Sequence, residues 1–168
     1  MFDLEKGNQD FINNIDKDSN LKNKRDALVK GQKPTTLVIT CSDSRVIPEL
    51  IFNASLGDLF VIRTAGNVIN EGELATVEYA IEHLKVQRIV VLGHTHCGAV
   101  HAAIHNEKGR YLDPILNRIK LNICETCNEL EASKINADKE ASYLKEKFPD
   151  YQGIIESKIY DIETSLVY

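Results

Sequence analysis

Arg88-Ile-Val-Val-Leu-Gly-His94-Thr-His-Cys97-Gly-Ala-Val100 opens as an apolar run, turns polar at His94, and becomes apolar again after Cys97. The run is too short for a helix and rich in β-branched residues, so Arg88 to Gly93 predicts a strand. It lacks polar alternation, so both of its faces are covered, as in a parallel sheet. Cys97 to Asn106 predicts a helix. A buried strand, a polar loop and a helix in that order form the unit of an α/β fold.

Reading outward, the pattern repeats. Thr35 to Thr40 predicts a first strand, and the polar cluster Cys41-Ser-Asp43-Ser-Arg45 follows it directly. Pro48 to Ala54 predicts a short helix, Gly57–Asp58 a turn, and Leu59 to Arg63 a further strand. Glu73 to Lys85 carries Leu74, Val77, Ile81 and Leu84 at helical spacing. Residues 1–33 form a polar helical arm with anchors such as Phe11, Ile12 and Ile15, closed by Gly31 and Pro34. Residues 107–150 are polar and helical, with a break expected at Asp113–Pro114. Ile154 to Asp161 and Ser165 to Tyr168 read as two last strands, the second running back antiparallel. The fold class is α/β, a mostly parallel central sheet covered by helices. Residues 1–168 are expected to form one domain.

Composition narrows the function classes. The chain has 168 residues, 43% hydrophobic and 27% charged, and a net charge of −5. An acidic balance without a basic stripe points away from nucleic acid and from anionic membrane surfaces. No window offers the ~20 apolar residues of a spanning helix. The N-terminus has no basic region followed by an apolar stretch, so the expected compartment is the cytoplasm. Its four cysteines, Cys41, Cys97, Cys124 and Cys127, should there be reduced.

Both polar clusters fall at the C-terminal ends of strands, where open α/β sheets bind ligands. If those strands are neighbours, Cys41, His94 and Cys97 converge. Two thiolates and an imidazole suit Zn2+, and three protein ligands leave a position open for water or substrate. Asp43 is a possible occasional fourth. Taken alone, Cys41 reads as a buried small side chain and His94-x-x-Cys97 as a chance pair; joint placement favours the metal reading.

The two motifs, CSDSRV over 41–46 and GHTHCGAV over 93–100, resemble those of the β-class carbonic anhydrases, Cys-x-Asp-x-Arg and His-x-x-Cys-Gly. Supporting similarity lies in Gly7-Asn8 with Phe11, in Lys30-Gly31-Gln32-x-Pro34, in Gly57 to Asn67 and in Tyr160-Asp-Ile-Glu-Thr. The resemblance implies a parallel sheet in order 2-1-3-4 with an antiparallel edge strand. It implies a homodimer, or a multiple of dimers, with active sites at the interface. It implies zinc on Cys41, His94 and Cys97, and reversible hydration of carbon dioxide to bicarbonate and a proton by attack of zinc-bound hydroxide. Asp43 and Arg45 would be the catalytic pair. Gln32, Phe60 and Tyr79 match a plant-type substrate pocket shared across the dimer, completed by Ala65 and the Gly98 backbone. Val38 stands where some bacterial members carry a Trp of a regulatory bicarbonate site, so no such site is expected.

Two other functions fit the same residues. One is hydrolysis of another small heterocumulene, such as carbon disulfide, on the same scaffold. The other is a non-enzymatic zinc- or bicarbonate-binding module. His96, between the ligands, reads as an exposed residue without a role. Cys124 and Cys127 read as two small buried thiols on one helix face.

Overall fold

The computed structural model describes Met1, residues 3–124 and residues 126–168. Two helices lead, α1 (Leu4–Lys17) and α2 (Ser19–Leu28); β1 (Thr36–Cys41), α3 (Pro48–Ile51), β2 (Leu59–Thr64), α4 (Glu71–Glu82) and β3 (Arg88–His94) follow. The chain ends with α5 (Gly98–Ile104), α6 (Asp113–Asn122), α7 (Glu129–Lys147) and β4 (Ile154–Tyr160). The four strands form one parallel sheet in the order β2-β1-β3-β4.

Register decides what meets what. Cys41 pairs with Thr64 at the ends of β1 and β2. Thr40 pairs with Leu92, and β3 runs on to His94. The Thr40 hydroxyl donates to the Leu92 carbonyl at 2.8 Å, tying the two central strands just below the edge. Both polar clusters therefore emerge side by side.

Strand alternation sorts the core. Leu37, Ile39, Ile89 and Val91 face α4 and α7 and pack with Val77, Ala80, Ala137, Ala141 and Leu144. Val38, Val90 and Leu92 face the other way and pack with Val46 of the loop after β1, with Ile51 of the short α3 and with Ile162 and Val167 of the C-terminal segment. Helix cover is thus unequal on the two faces. A third cluster joins Cys41 and Cys97 to Val68, Val100, Leu116 and Ile119, backing the sheet edge with α5 and α6.

Several boundaries differ from the sequence reading. The antiparallel edge strand reduces to one bridge, Tyr160 with Val167, because only Ile159 and Asp161 make further backbone bonds to the returning chain. Helix α4 starts two residues early, at Glu71, because the Asn70 N–H donates to the Glu73 carboxylate at 2.9 Å and caps the first turn. It stops at Glu82, and Lys85 lies in the left-handed region at φ 55°. Asp113–Pro114 begins α6 instead of breaking a helix, as a proline in the first turn loses no bond. Helix α5 spans only Gly98–Ile104. Cys124 and Cys127 are not free thiols on a helix: they form a disulfide in the turn between α6 and α7. The reversal of the chain brings their Cα atoms to 5.4 Å, within disulfide reach; Glu125 between them lies outside the described residues. No helix among the described residues is long and apolar enough to cross a membrane.

Candidate metal centre

Cys41, the last residue of β1, His94, the last of β3, and Cys97, which precedes α5, come together and are all buried. Their ligand atoms all lie within 4.8 Å of one another, and the two sulfurs are 4.0 Å apart. This is the sole such group among the described residues.

The histidine carries the strongest signal. His94 is fully buried, and its Nδ1 lies 2.8 Å from the Thr95 carbonyl. A carbonyl only accepts, so Nδ1 holds the proton and Nε2 carries a bare lone pair. Among the described residues no group hydrogen-bonds that Nε2. A buried acceptor without a donor is costly unless something fills it. Two soft sulfurs and a fixed imidazole beside it suit Zn2+, and the second partner of the histidine is the usual arrangement for a metal ligand. The 4.0 Å between the sulfurs is near the edge of about 3.8 Å that a tetrahedron with ~2.3 Å bonds requires. The residues fit the ion.

The thiols are already polarised. The contact with Cys97, then His94 and the Gly66 and Asp43 amides, draw the Cys41 thiol down to about 4 against the opposing effect of burial. The same contact with Cys41, and burial, push Cys97 up. The pair thus behaves as a thiolate and a thiol sharing one proton, which a cation would displace. The Gly66 N–H donates to the Cys41 sulfur at 3.3 Å.

Asp43 sits beside this group in a clasp. Arg45 Nε donates to Oδ1 at 2.9 Å and Nη2 to Oδ2 at 2.7 Å, while the Arg45 amide also donates to Oδ1. The Arg45 side chain, and its amide, hold the Asp43 carboxyl below the usual carboxylate range, although burial acts the other way. Arg45 Nη2 reaches on to the His96 carbonyl at 3.2 Å, linking the two motif loops.

Other predicted site residues divide into two sets. Ala65 directly follows β2 beside Cys41, and Gly98 directly follows Cys97. Gln32, Phe60 and Tyr79 are elsewhere. Phe60 pairs with Leu37, four residues down β1 from Cys41, which at ~3.3 Å per residue is about 13 Å from the edge. Its ring lies 6.1 Å from that of Tyr79, itself 45% exposed. Gln32 is exposed on the segment between α2 and β1, with no hydrogen bond to the metal group among the described residues.

Two contributors, Arg63 and Gly66, escaped the sequence reading, while His96, read as exposed, is exposed. Arg63 Nη2 donates to the Asp43 carbonyl at 2.7 Å and Nε to the Cys41 carbonyl at 3.3 Å, pinning the loop from β2. Gly66 supplies the N–H to sulfur from a left-handed conformation, φ 67°, and there a Cβ would lie 2.7 Å from Ile119 Cδ1. His96, at φ 56°, places Nε2 3.2 Å from a Glu163 carboxylate oxygen. An arginine at a strand end and a glycine after it were the available signals.

A family model for carbonic anhydrase matches residues 36–151. Carbonic anhydrase 2 of Mycobacterium tuberculosis is 48% identical over 102 residues, covering 60% of this chain and 49% of that protein. The chain spans about half the length of the curated relatives it matches. Among solved structures, the β-carbonic anhydrase CcaA is 31% identical with a TM-score of 0.82, over 98% of this chain and 84% of that one. One of two tetrameric β-carbonic anhydrases from Sordaria macrospora is 26% identical with a TM-score of 0.82, over 98% and 93%. With the match running from β1 past the end of α7, and the sheet, helices and motif loops shared with solved members, the chain belongs to the β-carbonic anhydrase family.

Proposed function

We propose that this chain is a zinc enzyme catalysing the reversible hydration of carbon dioxide to bicarbonate and a proton. The observation that carries the reading is the partnerless, buried Nε2 of His94 facing two thiols, with the Asp43–Arg45 clasp beside it. Cys41, His94 and Cys97 would hold the ion. When bound, it supplies Lewis acidity, by which zinc brings the deprotonation of water near neutral pH in carbonic anhydrases generally.

The rest of the work falls to the chain. Asp43 stays ionised and accepts a proton in a hydrogen bond from the attacking water, so that the lone pair of that water is aimed at carbon. Arg45 occupies both carboxylate oxygens and keeps Asp43 from turning onto the metal ligands. The Gly98 backbone N–H and Gln32 hold product oxygens. Ala65, Phe60 and Tyr79 make the apolar wall that carbon dioxide needs. Cys41 and Cys97 are free cysteines, available as thiolate ligands. Residues 1–168 act as one catalytic unit in this reading.

The wall requires a second copy. Phe60 and Tyr79 are too far down the sheet to serve their own Cys41, so a homodimer would bring them from the partner. Two apolar features support such an association. The thinly covered sheet face keeps a cavity of about 230 Å3 lined by Val38, Phe52, Leu59 and Val90. The N-terminal arm exposes Leu4, Phe11, Ile12 and Val29. The substitution pair Phe11→Glu and Ile12→Glu is expected to convert a dimer, or multiple of dimers, to monomer in sedimentation and to remove at least about nine-tenths of turnover. An unchanged assembly with full activity would rule out the arm as the contact.

Function itself is tested by stopped-flow hydration of carbon dioxide on zinc-loaded protein between about pH 6.5 and 9, around the expected pKa near 7. A rate rising through one titration supports the reading. Zinc-replete protein without activity at any pH rejects it.

A further inference from the structure

Helix α7 buries three polar side chains that the reaction above does not use, Ser133, Asn136 and Glu140, the last two with no solvent exposure. Arg118 clasps the Glu140 carboxylate through Nε at 2.8 Å and Nη2 at 3.1 Å. A buried ion pair of this kind stabilises no better than packed apolar groups, so stability alone does not explain it. The hydrogen-bond directions do.

Glu140 accepts only, and so does the Gly66 carbonyl. Two amides connect them. Asn122 Nδ2 donates to Glu140 Oε1 at 2.9 Å and, with its other hydrogen, to Asn136 Oδ1 at 2.9 Å. That leaves Asn136 one way round, with Nδ2 donating to the Gly66 carbonyl at 2.9 Å. The acceptor at each end orients both amides. At the far side of the Gly66 residue, its own N–H rests on the Cys41 sulfur.

Gly66 needs such a holder. It lies past the end of β2, in a left-handed conformation, so no strand ladder fixes its peptides. Its N–H is aimed at a metal ligand, and partners of ligands govern affinity and donor strength.

We propose that Asn136, oriented by the Glu140–Asn122 relay, is a positioning residue for the metal centre: it fixes Gly66 so that the Gly66 N–H meets the Cys41 thiolate. The inference rests on the metal reading above. It makes the long polar helix, which carries no motif, a working part of the site. The residues involved come from α6, α7 and the turn after β2, and none of them touches substrate.

The test uses full-length protein loaded with Co2+, whose thiolate charge-transfer absorption reports the donor strength of sulfur. The variants are Asn136→Leu and, in case the core rejects that, the half-buried Asn122→Ala. Ser133→Ala is the control, since it removes a buried hydroxyl from the same helix that has no partner. Loss of the N–H···S bond is expected to move the charge-transfer band to lower energy. It should also weaken metal affinity about tenfold in chelator competition, at the low end for such partners. Ser133→Ala should leave both unchanged. If folded Asn136→Leu or Asn122→Ala keeps the wild-type band and affinity, the positioning role is wrong while the metal reading stands. If wild-type protein shows no thiolate–cobalt band at all, the metal reading fails and this one with it.

Discussion

Replacing Cys41 with serine is expected to strip the protein of its metal. The sulfur of Cys41 is 4.0 Å from that of Cys97 and receives the Gly66 N–H, so it is held in place as a thiolate. Serine preserves size but keeps its hydroxyl proton at neutral pH, whereas the Cys97 contact first, and the His94 contact, favour the Cys41 thiolate against the opposing effect of burial. A ligand itself should matter more than its neighbours, whose loss costs about 10–100-fold in affinity. Zinc content should therefore fall from about one ion per chain to near zero after exchange against a chelator, and turnover should fall with it. The fold should survive, because the sheet and its helix-covered face owe nothing to the metal: Leu37, Ile39, Val77, Ile89 and Val91 pack without it. Circular dichroism and zinc analysis on one preparation separate the outcomes. A folded variant holding equimolar zinc at wild-type affinity would overturn the ligand assignment.

The convergence of Cys41, His94 and Cys97 was legible in the sequence for a physical reason. Cys41 and His94 each end a largely apolar run, Cys97 lies three residues past His94, and parallel strands deliver the ends of such runs to one edge. The Asp43–Arg45 clasp is equally local, two residues apart in one loop. The relay behind Gly66 was not legible. Asn122 and Asn136 are 14 residues apart, Asn136 and Gly66 are 70 apart, and on a polar helix a buried Asn looks like an exposed one. Phe60 and Tyr79 matched a pocket by residue type, yet the β1–β2 register places Phe60 beside Leu37, away from Cys41. Residue type alone does not place a side chain; register does. The final hairpin failed for a simpler reason: the last residues make one bridge, too little to form a strand. The Cys124–Cys127 spacing fits a helix face or a turn equally, and the end of α6 at Asn122 selects the turn.

Arg45→Ala is the second substitution with a large expected effect, and it separates rate from metal. Arg45 contacts no ligand side chain, so zinc content should stay near one per chain. What it loses is the two-pronged hold on Asp43, at 2.9 and 2.7 Å. Asp43 freed from that hold no longer aims the attacking water, and a misplacement of about 1 Å can cost on the order of 100-fold in rate. A fall of that size in kcat is the expected result. The acid side of the pH dependence gives an independent check. Arg45 first among its partners depresses the Asp43 carboxyl in the folded protein. A depressed carboxyl contributes its stability fully above the unfolded value of about 3.9 and loses it as pH falls through the lower folded value. In the wild type Asp43 is thus a carboxylate throughout the working range, and the alanine variant should return its carboxyl 13C titration toward the ordinary value. Asp43→Asn should likewise retain zinc and lose rate, since an amide next to Arg45 cannot accept through both oxygens. Wild-type kcat in zinc-loaded Arg45→Ala, or an unaltered pH–rate profile in Asp43→Asn, would take the clasp out of the mechanism and leave His94 and the two thiols as the whole of the site.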